Sequence, residues 1–100
     1  MQRLKVPGAN AAQSKTEVTF KYFAWVRERV GIAEEKAVLP EGVATVGDVI
    51  NWLKGRGEGY AAAFAREEIV RAAVDRCHAL HSASIRGARE IAFFPPVTGG

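Results

Sequence analysis

Val18, Phe20 and Tyr22 alternate with Thr19 and Lys21. A period of two is that of a strand with one face buried, which predicts a first strand over 17–24. Residues 24–31 then read as a short turn or helical passage closed by Gly31. A second strand follows over 34–39, stopped by Pro40-Glu41-Gly42. Its closeness to the first predicts antiparallel pairing as a hairpin. The period then changes. Val46, Val49, Ile50 and Leu53 recur at i, i+3, i+4 and i+7, one apolar helical face. Thr45 precedes them as an N-cap, with Asp48 three residues on, in the manner of a capping box. Lys54 lies in the last turn, and Gly55 and Gly57 end the helix. Trp52 falls off the stripe and is expected to cover its edge. The alanines of 60–64 predict further helical turns.

Residues 67–75 read as a third strand centred on 69–74. Arg76-Cys77-His78 reads as a turn and 79–81 as a short edge strand. Residues 82–89 read as a loop turning at Gly87, and 90–94 as the last strand, with Ile91 and Phe93 on one face and Ala92 and Phe94 on the other. The order is hairpin, helix, strand, short strand, strand. It implies an α+β fold, a sheet with a helix packed on one face.

Beyond that strand come Pro95-Pro96-Val97-Thr98-Gly99-Gly100. Two prolines remove two backbone donors and fix φ, so the ladder cannot continue through them. Pro96 pushes Pro95 toward extended geometry. The chain is therefore expected to leave the body as a stiff, polyproline-like spur. Glycines without a Cβ can enter a channel too narrow for other residues. A tail ending in Gly-Gly makes the Gly100 α-carboxylate the candidate reactive group. A frayed terminus is the plainer reading, but a frayed end has no need of a rigid exit from a strand.

Composition bounds the rest. One hundred residues suit one small domain. The apolar share of 48% is the usual globular level, enough for a core. No apolar run approaches the roughly 20 residues of a membrane span, so no membrane association is expected. The single Cys77 excludes a disulfide framework within one chain and suits a reducing, cytoplasmic setting. The net charge of +3 changes little: Arg3, Lys5 and Lys15 lie in residues 1–16, which hold no acid, and the rest of the chain is formally neutral. A nucleic-acid binder would carry its basic face on the folded part, so none is expected as partner. The organisation expected is a disordered extension over 1–16, a folded domain over 17–94 and an extended functional tail over 95–100.

Other chemistry is weakly signalled. Cys77, His78 and His81 are too sparse for a zinc site and lack an orienting third group for a nucleophile, so no metal is expected. Gly55-Arg56-Gly57-Glu58-Gly59 follows a helix instead of opening one, the wrong order for a phosphate loop. Arg27 and Glu28 read as a solvated pair ordering their loop.

Two stretches resemble a known family. Ala92-Phe93-Phe94-Pro95-Pro96-Val97-Thr98-Gly99-Gly100 is similar to the C-terminal signature of the small, sulfur-carrying subunits of molybdopterin synthases, which are ubiquitin-like β-grasp proteins. Residues 23–31, reading Phe-Ala-Trp-Val-Arg-Glu-Arg-Val-Gly, resemble the family's first strand exit. The resemblance implies that the first and last strands lie parallel and adjacent at the centre. It implies a subunit not catalytic alone, binding no cofactor itself. A ubiquitin-activating-type enzyme would use ATP to adenylate Gly100 and a sulfur donor would convert it to a thiocarboxylate. The large synthase subunit would receive the tail, where the sulfur attacks cyclic pyranopterin monophosphate. Phe93, Phe94, Pro95, Pro96, Val97, Thr98 and Gly99 would form the partner-binding tail, with whichever phenylalanine faces outward, and Val97, as apolar anchors. One departure is Arg86-Gly87-Ala88-Arg89, where the family often has an acidic turn; charge there bears on partner choice. Alternatives are a carrier for another pathway such as thiamin or cysteine, a protein modifier, or an inert β-grasp interaction module.

Overall fold

The computed structural model describes residues 17–96. The expected extension, residues 1–16, and the tail residues Val97, Thr98, Gly99 and Gly100 lie outside the described residues. Five strands form one mixed sheet: β1 (Glu17–Tyr22), β2 (Glu34–Val38), β3 (Arg71–Val74), β4 (Cys77–Ala79) and β5 (Glu90–Phe94), in the order β2-β1-β5-β3-β4. β1 pairs antiparallel with β2 and parallel with β5; β3 pairs antiparallel with both β5 and β4. First and last strands are thus central and parallel, as the resemblance implied.

Alternation places Val18, Phe20 and Tyr22 of β1 on the buried face, and Ile91 and Phe93 of β5 beside them. The helices α1 (Ala24–Val30), α2 (Val46–Lys54) and α3 (Glu58–Ala63) supply the other half of the same core through Val26, then Val46, Val49, Ile50 and Leu53, then Ala63 and the adjoining Phe64. The capping box of α2 has both arms: Thr45 Oγ1 accepts from the Asp48 N–H at 3.1 Å, and Asp48 Oδ2 accepts from the N–H groups of Thr45 at 3.1 Å and Ala44 at 3.0 Å. Those two backbone donors hold the Asp48 carboxyl below its ordinary range. Trp52 covers the core's edge as expected, 6.1 Å from the Phe20 ring, with the Arg56 guanidinium over its outer side at 5.0 Å.

Three boundaries differ from the reading of the periodicity. β1 ends at Tyr22, because Phe23 becomes the extended N-cap of α1 and Ala24 turns the chain with φ 55°. The antiparallel pairing of β1 with β2 is as expected, with α1 as the helical passage between them. The third strand was expected over 67–75, yet Glu67–Ile69 is a 3-10 turn and β3 starts at Arg71. Arg71 lies opposite Phe94, so residues 69–70 would have to pair with Pro95 and Pro96, which have no N–H to give. The fourth strand was expected over 79–81 after a turn at 76–78. Instead Asp75 and Arg76 take left-handed φ of 49° and 73°, and β4 is Cys77–Ala79. Positive φ at both central residues is that of the tight two-residue turn that matches strand twist, and it sets Val74 opposite Cys77. Asp75 suits the first position of that turn, but Arg76 stands where glycine is usual, so the sequence hides the register of β4.

Candidate functional site

β5 delivers the chain to the prolines from the centre of the sheet. Its last two side chains point to opposite faces. Phe93 is fully buried, edge-on to Phe64 with centroids 5.1 Å apart and stacked on Tyr22 at 6.3 Å. Its ring belongs to the core, so of the two phenylalanines expected to meet a partner Phe94 is the outward one. Phe94 is half-buried on the face away from the helices, and its only aromatic neighbour among the described residues is His78, edge-to-face at 5.5 Å.

The Phe23 N–H donates to the Phe93 carbonyl at 3.1 Å, which places Phe23 at the same end of the sheet. Phe23 is extended and follows core-facing Tyr22, so its side chain takes Phe94's face; it is 47% exposed. Sequence reasoning did not pick Phe23 as a site residue. The signal was its place one step beyond the buried alternation of β1. Arg71, opposite Phe94 on β3, is exposed, and Lys21 is paired with Glu90 at 3.1 Å further along this face. The exit is thus an aromatic rim with the exposed Arg71 beside it, where Pro95 and Pro96 leave the ladder. What such a rim offers chemically is apolar docking area around a departing chain.

The core beneath the exit is held by a polar cluster. Glu35 on β2 accepts from the hydroxyls of Tyr22 (2.8 Å) and Tyr60 (2.7 Å) through Oε2, and from Arg56 Nη1 (3.2 Å) through Oε1. Burial, then the hydrogen bond to Glu35, pushes the Tyr22 hydroxyl far above its ordinary range, and the same causes in the same order raise Tyr60. The cluster locks the ring that stacks under Phe93.

The weaker candidates separate. His81 Nε2 lies 2.8 Å from the Val70 carbonyl oxygen, His78 lies against Phe94, and Cys77 is exposed. Among the described residues no group of three His, Cys, Asp or Glu side chains is placed to hold a metal. The glycine-rich stretch is a packing device: a Cβ on Gly59 would fall 2.5 Å from the Arg29 carbonyl oxygen. Arg27 and Glu28 are exposed and, among the described residues, form no ion pair; α1 is closed by the Gly31 N–H on the Arg27 carbonyl at 2.8 Å. No helix among the described residues is long and apolar enough to cross a membrane.

A parallel central pair with the C-terminal strand running out between aromatic residues matches known proteins in sequence as well as shape. The model of the ThiS family matches residues 20–100. The chain belongs to the ThiS family. A molybdopterin synthase sulfur carrier subunit from Haemophilus influenzae is 35% identical over 79 residues, which cover 79% of this chain and 94% of that protein. A solved structure from Pyrococcus furiosus, described as a putative molybdopterin converting factor subunit 1, superposes with a TM-score of 0.61 at 30% identity, covering 81% of this chain and 98% of that one. SAMP1 from Haloferax volcanii superposes with a TM-score of 0.63 over 85% of this chain and all of that one; at 24% identity this shows the shared fold alone. This ThiS-family chain is a ubiquitin-like β-grasp protein.

Proposed function

We propose that this ThiS-family protein is the sulfur-carrying small subunit of a molybdopterin synthase, with the Gly100 carboxylate as its reactive group. The observation that carries this reading is the exit: the central parallel strand ends in Phe94-Pro95-Pro96 at an aromatic rim, and the family match continues from there to residue 100. The kinship with the Haemophilus influenzae sulfur carrier subunit supports the pathway.

A free carboxylate is resonance-stabilised and a poor electrophile, so it must be activated. Attack of the Gly100 carboxylate on the α-phosphate of ATP, inside an adenylating enzyme of the ubiquitin-activating type, would release pyrophosphate and leave an acyl-adenylate. A persulfide sulfur would displace AMP, and cleavage of the S–S bond by a thiol would leave a thiocarboxylate. The large synthase subunit would then receive the tail. There the thiocarboxylate sulfur would attack cyclic pyranopterin monophosphate, one carrier supplying each dithiolene sulfur. This chain contributes the sulfur nucleophile and no acid–base group. Its own residues confine and present the tail: Pro95 and Pro96 limit the free ensemble and so lower the ordering cost of docking. Phe94, Phe23 and Val97 supply apolar contact, while Thr98 and Gly99 bring Gly100 through a narrow channel.

The test is reconstitution with the large subunit, the activating enzyme and a sulfur donor. Full-length protein should gain the mass of an oxygen-to-sulfur exchange at its C-terminus and support dithiolene formation. Deleting Gly100 should abolish both and leave thermal unfolding unchanged. Dithiolene formation by the deletion variant would refute the assignment of the reactive carboxylate, and lysine-linked conjugates in place of sulfur transfer would refute the function.

A further inference from the structure

β2 is one edge of the sheet, paired with β1 on one side only. The Tyr22 N–H donates to the Ala33 carbonyl at 2.9 Å, so the backbone at Ala33 is turned inward. The alternation of an antiparallel ladder then turns Glu35 and Ala37 inward too, and aims the N–H and C=O groups of Glu34, Lys36 and Val38 outward. Among the described residues no backbone partner lies on that outer side. β2 pairs with β1 through five consecutive positions without a bulge, and it contains no proline. An edge of this kind is a template for a further strand.

The side chains decide which strand fits. Glu34, Lys36 and Val38 stand on the open face of the sheet, in register with Lys21, Thr19 and Glu17 of β1, and all three are exposed. Neither Glu34 nor Lys36 joins an ion pair among the described residues. Ile32, just before the strand, is 41% exposed and Val38, at its end, 47%. Positions 32, 34, 36 and 38 therefore read apolar, acid, base, apolar. Turned end for end against itself, that order sets each acid against a base and each apolar residue against an apolar one.

The register follows from symmetry. A two-fold axis perpendicular to the sheet matches the faces of two copies only when it passes through a residue, because a slip of one residue exchanges the faces. An axis at Lys36 sets that lysine against itself, and an axis at Glu34 sets that acid against itself. With the axis at Glu35, Glu34 meets Lys36 of the second copy, Lys36 meets Glu34, and Val38 falls opposite Ile32. Opposite charges directly across a ladder are favourable and like charges unfavourable. The two Glu35 residues come together at this axis, on the other face. Each carboxylate is drawn toward its own core by the Tyr22 and Tyr60 hydroxyls at 2.8 and 2.7 Å and is paired with Arg56 Nη1 at 3.2 Å, so its charge is compensated before the strands meet.

We infer that β2 pairs antiparallel with β2 of a second copy of this chain, across a two-fold axis at Glu35, and so joins two five-stranded sheets into one. A single short strand pair makes a small interface, so the dimer is weak and forms at high protein concentration. β1 separates β5 from the joint, and the axis sends the two β5 strands in opposite directions. The inference does not depend on the proposed sulfur chemistry.

The test is sedimentation equilibrium of the full chain from micromolar to millimolar concentration, with Glu34→Lys and Lys36→Glu variants made separately. Both side chains are exposed on the open face, outside the core, and circular dichroism checks that each variant folds. Expected is a wild-type mass that rises from monomer toward dimer, and loss of that rise in either variant alone, whose edge then carries one sign of charge. Mixing the two variants in equal amounts should restore the dimer, because an all-basic edge then faces an all-acidic one. A wild type that stays monomeric throughout would overturn the inference. So would a dimer that survives the single substitutions, or a mixture that fails to associate. Mass gained only when the large synthase subunit is present would assign the edge to that partner and overturn it as well.

Discussion

Gly59, the second residue of α3, sits where that helix meets the end of α1. A Cβ at this position would lie 2.5 Å from the Arg29 carbonyl oxygen and 3.3 Å from that of Val30. Both are backbone atoms, so no side chain can swing aside and the helices must separate. Forced overpacking of this kind costs about 1–3 kcal/mol. Alanine is the better helix former by about 1 kcal/mol, which offsets part of that cost but not the upper range. Gly59→Ala should therefore destabilise the protein by up to about 2 kcal/mol. For a domain of this size that is a fall in Tm of up to roughly 15 °C. Gly47, inside α2, is the control: a Cβ there meets nothing nearer than the His81 carbonyl oxygen at 3.4 Å, so Gly47→Ala should be neutral or stabilising. Thermal and urea unfolding followed by circular dichroism of both variants reads the two signs. If Gly59→Ala proves as stable as the wild type, the close approach of α1 and α3 is not what demands glycine.

Phe93→Ala should cost about 3–5 kcal/mol of folding stability in urea titrations, as the loss of a fully buried ring does. Phe94→Ala should leave stability nearly unchanged but weaken binding to the large synthase subunit roughly tenfold, a loss near 1.4 kcal/mol measurable by calorimetry. Glu35→Ala removes a charged acceptor shared by two tyrosines and should cost roughly 2–3 kcal/mol; adding Tyr22→Phe should recover part of it in a double-mutant cycle. The tyrosine pKa values are raised in the fold above the ordinary 10.0, so their contribution is whole below pH 10.0 and is lost above it, where the unfolded chain ionises first. Asp48 is lowered below 3.8, so its contribution is whole above that value and is lost as pH falls through the folded-state pKa. Urea midpoints taken on either side of pH 10.0 and pH 3.8 check both signs.

The elements with a strong local signal were legible in the chain. Val18, Phe20 and Tyr22 declared β1, Thr45 and Asp48 declared the start of α2, and Pro95 and Pro96 marked the end of the last strand, because each acts on its own backbone or its nearest neighbours. Long-range partners decided the rest. The start of β3 depends on which β5 residues still have an N–H to offer. The register of β4 depends on a left-handed Asp75-Arg76 turn that composition does not announce. Phe93 and Phe94 have the same side chain; only the neighbouring strands and α3 bury one and leave the other at the exit. Gly59 reads as one more residue of a glycine-rich stretch until Arg29 is seen against it. Periodicity is a property of single segments, so sequence alone determined what each segment wants to be. Pairing and packing are properties of segments brought together, and only the folded sheet decided which face, which register and which phenylalanine serves the tail.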